Sequence, residues 1–324
     1  MKKKIIVWGM FLLLLCISVG CGSQTAGTKG NVKIFLTLNE MDTFRQTLVD
    51  AAVAKAAEEG VQFDMADAGG SIEAQVEQIK QAKEQGYDVI LCGAVSIDTV
   101  VELKATAGDI PVIFFNSCPD EKHLSAGKYV YVGSDEKVAG QFQAEYVLEK
   151  LADKDEINVV LLKGPKGHSA TGGRTSGVKQ TLEASGKKIN YVFEDHANWD
   201  AEQAKQLFQL FLQTGSPVDC VICNNDSMAL GVVEACKENG IDLGKLPILG
   251  VDATADGCAA IQNGEMAFTV YQSGVGQGQA AVEMAVRIAR NADLQEMEGI
   301  TEDEMYVWVP FERVDSSNVS QYMK

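Results

Sequence analysis

The feature that most constrains this chain is an alternation of short apolar runs with helical stretches, from Asn31 almost to the end. Runs rich in β-formers fall at 32–38, 61–66, 88–92, 111–115 and 129–132, with amphipathic helices between most of them. A second series follows at 157–163, 189–193, 218–223, 246–251 and 267–271, again separated by helices such as 201–212. A helix over 276–291 and a last strand over 305–310 close the chain. Strands alternating with helices build parallel sheets covered on both faces. Two series predict an α/β protein of two doubly wound parallel-sheet lobes rather than one continuous sheet.

The first thirty residues stand apart. Lys2, Lys3 and Lys4 precede an apolar run from Ile5 to Val19 that ends at Gly20 and Cys21. This is the layout of a secretory signal. A membrane-spanning helix needs about 20 apolar residues, whereas this run is shorter and gives way at once to a polar, glycine-rich stretch over 22–30. The expected division is a signal over 1–20 and a flexible tether over 21–30. The cysteine position resembles the bacterial lipoprotein signal, in which Cys21 is lipidated and becomes the first mature residue, although Ser18 stands where that signal places an aliphatic residue. An ordinary cleaved signal with an incidental cysteine is the other reading. Either way the expected location is extracytoplasmic: anchored to the outer face of the cell membrane, or periplasmic.

The formal charge is −17, and it becomes −20 once a segment with three lysines and no acid is removed. Such a surface repels nucleic acid and favours solubility. Six cysteines follow Cys21, and Cys220 with Cys223 forms a C-x-x-C. That spacing invites a zinc or redox reading. Within the apolar run over 218–223, however, residues three apart point to opposite faces of a strand, so buried structural thiols are expected. No second C-x-x-C or histidine pair completes a metal site, and no metal or cofactor is predicted.

In open α/β sheets, ligands collect beyond the carboxyl ends of the strands. The residues there are polar or aromatic: Asp42 and Phe44, Asn116, His168 and Arg174, Trp199, Asn225, Asp252 and Gln272. Specific local sequences accompany them in order: PVIFFN over 111–116, YVGSD over 131–135, LLKGPKGH over 161–168, NNDSMALG over 224–231, GVDA over 250–253 and VPF over 309–311. This series resembles the bacterial periplasmic sugar-binding proteins of the ribose and galactose type, most closely their galactose/glucose-binding branch. The likeness runs from about residue 31 to 320.

The resemblance implies two lobes joined by three crossovers, near Gly133, Ser273 and Pro310, that close on a sugar by hinge motion. The amino-terminal lobe would be 31–133 plus 273–309, and the other 134–272 plus 310–324. Phe44 and Trp199 resemble the family's stacking pair. Asp42, Asn116, Asn225 and Asp252 align with residues that hydrogen-bond sugar hydroxyls, and His168 and Arg174 with its sugar-binding histidine and arginine. Arg174 is expected to balance Asp42 and Asp252. Asp42 and Asp252 also fit a helix-capping reading, and Asp226 looks more like a cap than Asn225.

Three departures stand out. Gln272 occupies a position that is asparagine in the hexose binder and glutamine in the ribose binder. Ala170 stands where the galactose/glucose binder carries an aspartate for the anomeric hydroxyl, which leaves room for a glycoside, a disaccharide or another monosaccharide. The calcium loop of that branch has no counterpart in the short segment 152–156.

The expected function is a substrate-binding lipoprotein of an ABC sugar importer, favouring a glucose- or galactose-like hexose. Its partners would be a sugar and an ABC permease, and a monomer is expected. The alternative is a binder of another polyol, pentose, glycoside or signalling molecule serving a chemoreceptor or sensor. The loop over 164–173 superficially resembles a phosphate cradle but lacks the Gly-Lys-Ser/Thr ending, so an enzyme is not expected.

Overall fold

A computed structural model describes residues 31–323. The signal, the tether and Cys21 lie outside the described residues. The first series folds as β1 (Lys33–Leu38), α1 (Thr43–Glu58), β2 (Gln62–Asp67), α2 (Ile72–Glu84), β3 (Val89–Cys92), α3 (Val100–Ala107), β4 (Val112–Phe115) and β5 (Tyr129–Gly133). The second gives α4 (Glu136–Lys150), β6 (Glu156–Lys163), α5 (Ser169–Ala184), β7 (Lys188–His196), α6 (Ala201–Gln213) and β8 (Cys220–Cys223). It continues as α7 (Asp226–Glu238), β9 (Ile248–Leu249), α8 (Ala255–Gln262) and β10 (Phe268–Tyr271). The chain ends with α9 (Gly274–Arg290), β11 (Tyr306–Trp308) and β12 (Glu312–Asp315).

Two six-stranded sheets result, ordered β2-β1-β3-β4-β5-β11 and β7-β6-β8-β9-β10-β12. All pairs are parallel except β10 with β12. The chain therefore passes between the sheets three times: after β5, after β10 and between β11 and β12. Central strands such as β3 (VILC) and β4 (VIFF) are buried at every position, as a parallel sheet covered by helices requires. The edge strand β2 is buried nowhere along its length and carries the polar sequence QFDMAD.

Each sheet has an apolar core on both faces. In β8, Cys220 and Ile222 join one core while Val221 and Cys223 join the other, so the two thiols of the C-x-x-C point apart and both are free. Burial pushes each of them well above the usual thiol range. Among the described residues, no group of three or more His, Cys, Asp or Glu is placed to hold a metal ion.

Two details differ from the sequence expectation. The run over 246–251 yields only the two-residue β9, with Asp252 bridging Tyr271 beyond it. The strand β12, unforeseen, has a single buried residue, Val314, and exists because β10 offers it an antiparallel edge. Helices α4 and α5 pack closely because Gly140 and Gly177 face the partner backbone; a Cβ at Gly140 would fall onto the Arg174 carbonyl. That contact sets α5, and Arg174 with it, against the start of α4.

Candidate ligand-binding site

Both sheets have strand order 2-1-3-4-5 before their last member, so the order reverses beside β1 in one and beside β6 in the other. Ligand crevices form at such points. The loops that follow these strand ends enclose a cavity of about 80 Å³. All nine residues singled out from the sequence line it: Asp42, Phe44, Asn116, His168, Arg174, Trp199, Asn225, Asp252 and Gln272, together with Arg45 and Ala170.

The walls come from opposite sheets. Phe44 packs on the core of the first sheet and Trp199 on that of the second. Trp199 is held with φ of +66°, a conformation rare for a bulky side chain. Gly164 makes this possible, because a Cβ there would overlap the indole. Asn116 (φ +60°) and Asp252 (φ +113°) are also left-handed, so three residues of one cavity carry unusual backbone, a distribution associated with functional sites.

The polar rim is built largely from helix starts. Asp42 caps α1, accepting from the Arg45 amide at 2.7 Å. Its other oxygen takes the Arg45 guanidinium at 2.6 Å, and Arg45 Nε reaches Asn116 Oδ1 at 3.2 Å. Asn225 caps α7 by accepting from the Met228 amide at 3.0 Å. Its Nδ2 has no partner among the described residues and is available to a ligand. His168 caps α5, its Nδ1 accepting from the Ala170 amide at 3.2 Å. That fixes the ring proton on Nε2, 3.5 Å from Ser117 Oγ. The imidazole meets Trp199 edge-on, centroids 5.5 Å apart. Burial, then Arg174 and Arg45, push His168 down to about 4, so it is neutral at physiological pH.

Arg174 is 4% exposed and makes four polar contacts. Its Nε donates to Glu136 at 2.7 Å, Nη1 to the Asn224 carbonyl at 2.7 Å and to Asp252 at 3.5 Å, and Nη2 to Gln272 Oε1 at 3.2 Å. Burial opposes its charge, yet Glu136 and Asp252 raise it further above its usual value. The Asp252 carboxyl is driven up to about 8, chiefly by burial. Arg174 pulls it back, and Asp226, Glu136 and Asp42 push it further. Beneath it, Asp226 is fully buried and accepts from Thr269 Oγ1 at 2.6 Å and from the Thr254 amide at 2.8 Å. Burial lifts it to about 6 against those bonds.

Several sequence-level expectations are corrected by this geometry. Arg174 does not balance Asp42; Arg45 does, and Arg174 pairs with Asp252 and with Glu136 instead. Asn225 is the cap, whereas Asp226 is buried beneath the site. Asp252 caps nothing, since Thr254 caps α8 by accepting from the Gly257 amide at 3.1 Å. Sequence reasoning missed Arg45, Asn224 and Glu136. Arg45 was within reach, one helical turn from Asp42 on the same face. Glu136 carried no signal, since an acid in the first turn of a helix is ordinary.

Two contacts cross the cleft beside the cavity: the Cys118 amide donates to Ser169 Oγ at 3.0 Å, and Ser117 approaches His168. Residues from both sides of the crossovers thus already surround one small polar chamber, and residues 34–293 match the periplasmic binding protein domain. The chain belongs to that family.

A D-galactose/methyl-galactoside-binding periplasmic protein of Haemophilus influenzae is 30% identical over 97% of this chain and 98% of its own length. A putative rhizopine-binding protein of Rhizobium meliloti is 28% identical over 99% of each chain. Among solved structures, an ABC transporter solute-binding protein of Bacillus halodurans with bound myo-inositol matches with a TM-score of 0.78. It is 29% identical, and the match covers 92% of this chain and 99% of that one. As a member of the periplasmic binding protein family, the chain has its chamber between two lobes and at the strand ends of both sheets.

Proposed function

We propose that this protein is an exported solute-binding protein that closes two lobes around one small polyhydroxylated ring, a sugar or polyol, and delivers it to an ABC permease. The carrying observation is the chamber itself, with Phe44 and Trp199 as flat walls from opposite sheets and a rim of carboxylate, amide, imidazole and guanidinium groups. A sugar or cyclitol ring has apolar C–H faces that suit aromatic walls. Its hydroxyls suit a rim that both donates and accepts.

The lobes would be 31–133 plus 273–309 and 134–272 plus 310–324, swinging about the three crossovers, with Cys21 carrying the lipid anchor. Closure is favoured only by contacts that the ligand makes with both lobes at once. Binding and release, not catalysis, are the reading the chamber supports.

Two ligand classes are favoured by separate observations. A glucose- or galactose-like hexose is supported by the kinship to the galactoside-binding protein. A polyol without an anomeric centre is supported by Ala170, which gives the cavity an apolar methyl in place of a carboxylate, and by the relative holding myo-inositol. A second cavity of about 450 Å³ shares Arg45, His168 and Trp199 with the inner one, which leaves space for a substituent on the ring.

A thermal-shift screen of hexoses, pentoses, inositols and small glycosides tests the proposal. A ligand at one hundred times its Kd adds about 2.7 kcal/mol, a rise of several degrees in Tm. If no polyhydroxylated ring moves the Tm, the proposal fails.

A further inference from the structure

Every acceptor that holds Arg174 lies on the second-sheet side of the cleft, so its placement does not wait for closure. A guanidinium has five N–H groups, and the four contacts above leave one, on Nη2, for a ligand. Nη1 and Nη2 are held by a carbonyl, an amide oxygen and the carboxylate of Asp252, while the Nε edge is held by Glu136 alone.

Glu136 does not line the cavity. It is 7% exposed, opens α4 directly after the first crossover, and its Oε1 lies 3.5 Å from Gln272 Nε2 just before the second. Helix α5 has no acid in its first turn, so Arg174 has no carboxylate from its own helix start. Gly173 clears the space, since a Cβ there would come 2.5 Å from the Glu136 Cβ. Burying a carboxylate against a guanidinium is a poor way to gain stability, and this pair stands one residue behind a ligand chamber.

We propose that Glu136 is a positioning residue for ligand recognition, aiming Arg174 and, through it, the Asp252 carboxylate into the chamber. The inference rests on the chamber being the solute site proposed above. It has a charge-specific consequence. The groups facing Asp252 are Arg174 from α5, Glu136 from α4, Asp226 from α7 and Asp42 from the start of α1, with Arg45 and neutral His168 on the rim. Deleting the Glu136 charge removes one upward push on Asp252 and frees Arg174 to pair with it; both lower its titration midpoint. An ionised carboxylate is the stronger acceptor for a ligand hydroxyl, so affinity rises with pH through that midpoint.

The test compares wild type, Glu136→Gln and Glu136→Asp by calorimetry with galactose and myo-inositol from pH 6 to 9. A carboxyl NMR titration of Asp252 in the ligand-free proteins accompanies it. Glu136→Gln is expected to weaken binding about tenfold or more at pH 9, where Asp252 is ionised in both proteins, and to move the midpoint down by about one pH unit. Glu136→Asp, which keeps the charge but shortens the reach, should keep the midpoint and recover part of the affinity.

Wild-type affinity in Glu136→Gln, or a loss of affinity with an unmoved midpoint, overturns the proposal. Should Glu136→Gln not fold, wild-type affinity in Glu136→Asp overturns it instead. If neither probe binds the wild type, the solute reading is what suffers; the ligand-free titration still decides the role of Glu136, and an unmoved midpoint there refutes it.

Discussion

Replacing Asp252 by Asn separates stability from binding, because the structure assigns the two opposite signs. In the folded protein the Asp252 carboxyl titrates at about 8 instead of its ordinary 3.8, with burial as the main cause. A carboxyl whose folded value is raised binds its proton more tightly in the native than in the unfolded state. Stability is then complete below about pH 4 and falls as pH rises towards 8. Each unit of such a shift corresponds to about 1.4 kcal/mol. Asp252 keeps 16% of its side-chain surface and has Arg174 at 3.5 Å, so solvent screening leaves a net cost of about 1–2 kcal/mol at pH 9.

Asparagine is close to the protonated acid in shape and tolerates the φ of +113° at this position. The variant is therefore expected to match wild type at pH 4 and to melt about 2–5 °C higher at pH 9. At the same time it loses the charged acceptor in the chamber, and ligand affinity should fall about a hundredfold. Thermal melts from pH 4 to 9, with and without the best ligand from the screen, read both effects. A variant that melts below wild type at pH 9, or that keeps wild-type affinity, refutes the argument.

Trp199→Ala removes one wall of the chamber and should cost about a hundredfold in affinity by calorimetry; an unchanged Kd takes Trp199 out of the site. Gly164→Ala keeps every polar contact but drives a methyl into the Trp199 ring and the Thr171 hydroxyl. It is expected to weaken binding about tenfold with little change in far-UV circular dichroism, and wild-type affinity there would show that the indole position is unimportant.

Much of the fold was legible before any coordinates. Buried parallel strands are continuous apolar runs, and VILC, VIFF and CVIC match them in length and in their β-branched and aromatic content. The candidate site was legible for a related reason: polar and aromatic residues cluster just past strand ends, where a doubly wound sheet gathers its loops. The short strand β12 was not legible, because ERVD has no pattern of its own and depends on the edge of β10.

What the sequence determined by itself is the alternation that dictates two parallel sheets and the identity of the nine side chains that meet between them. What only the tertiary structure decided is how those side chains are partnered. Arg174 finds its acceptors 38, 78 and 98 positions away along the chain, and no local pattern encodes separations of that kind. The raised Asp252 carboxyl likewise follows from burial and from charges on other elements, whereas the capping by Asn225 and the pairing of Asp42 with Arg45 are local contacts three residues apart. Residue types are written in the chain, whereas solvent exclusion and Coulomb interactions come into being only once the two sheets and their helices have packed.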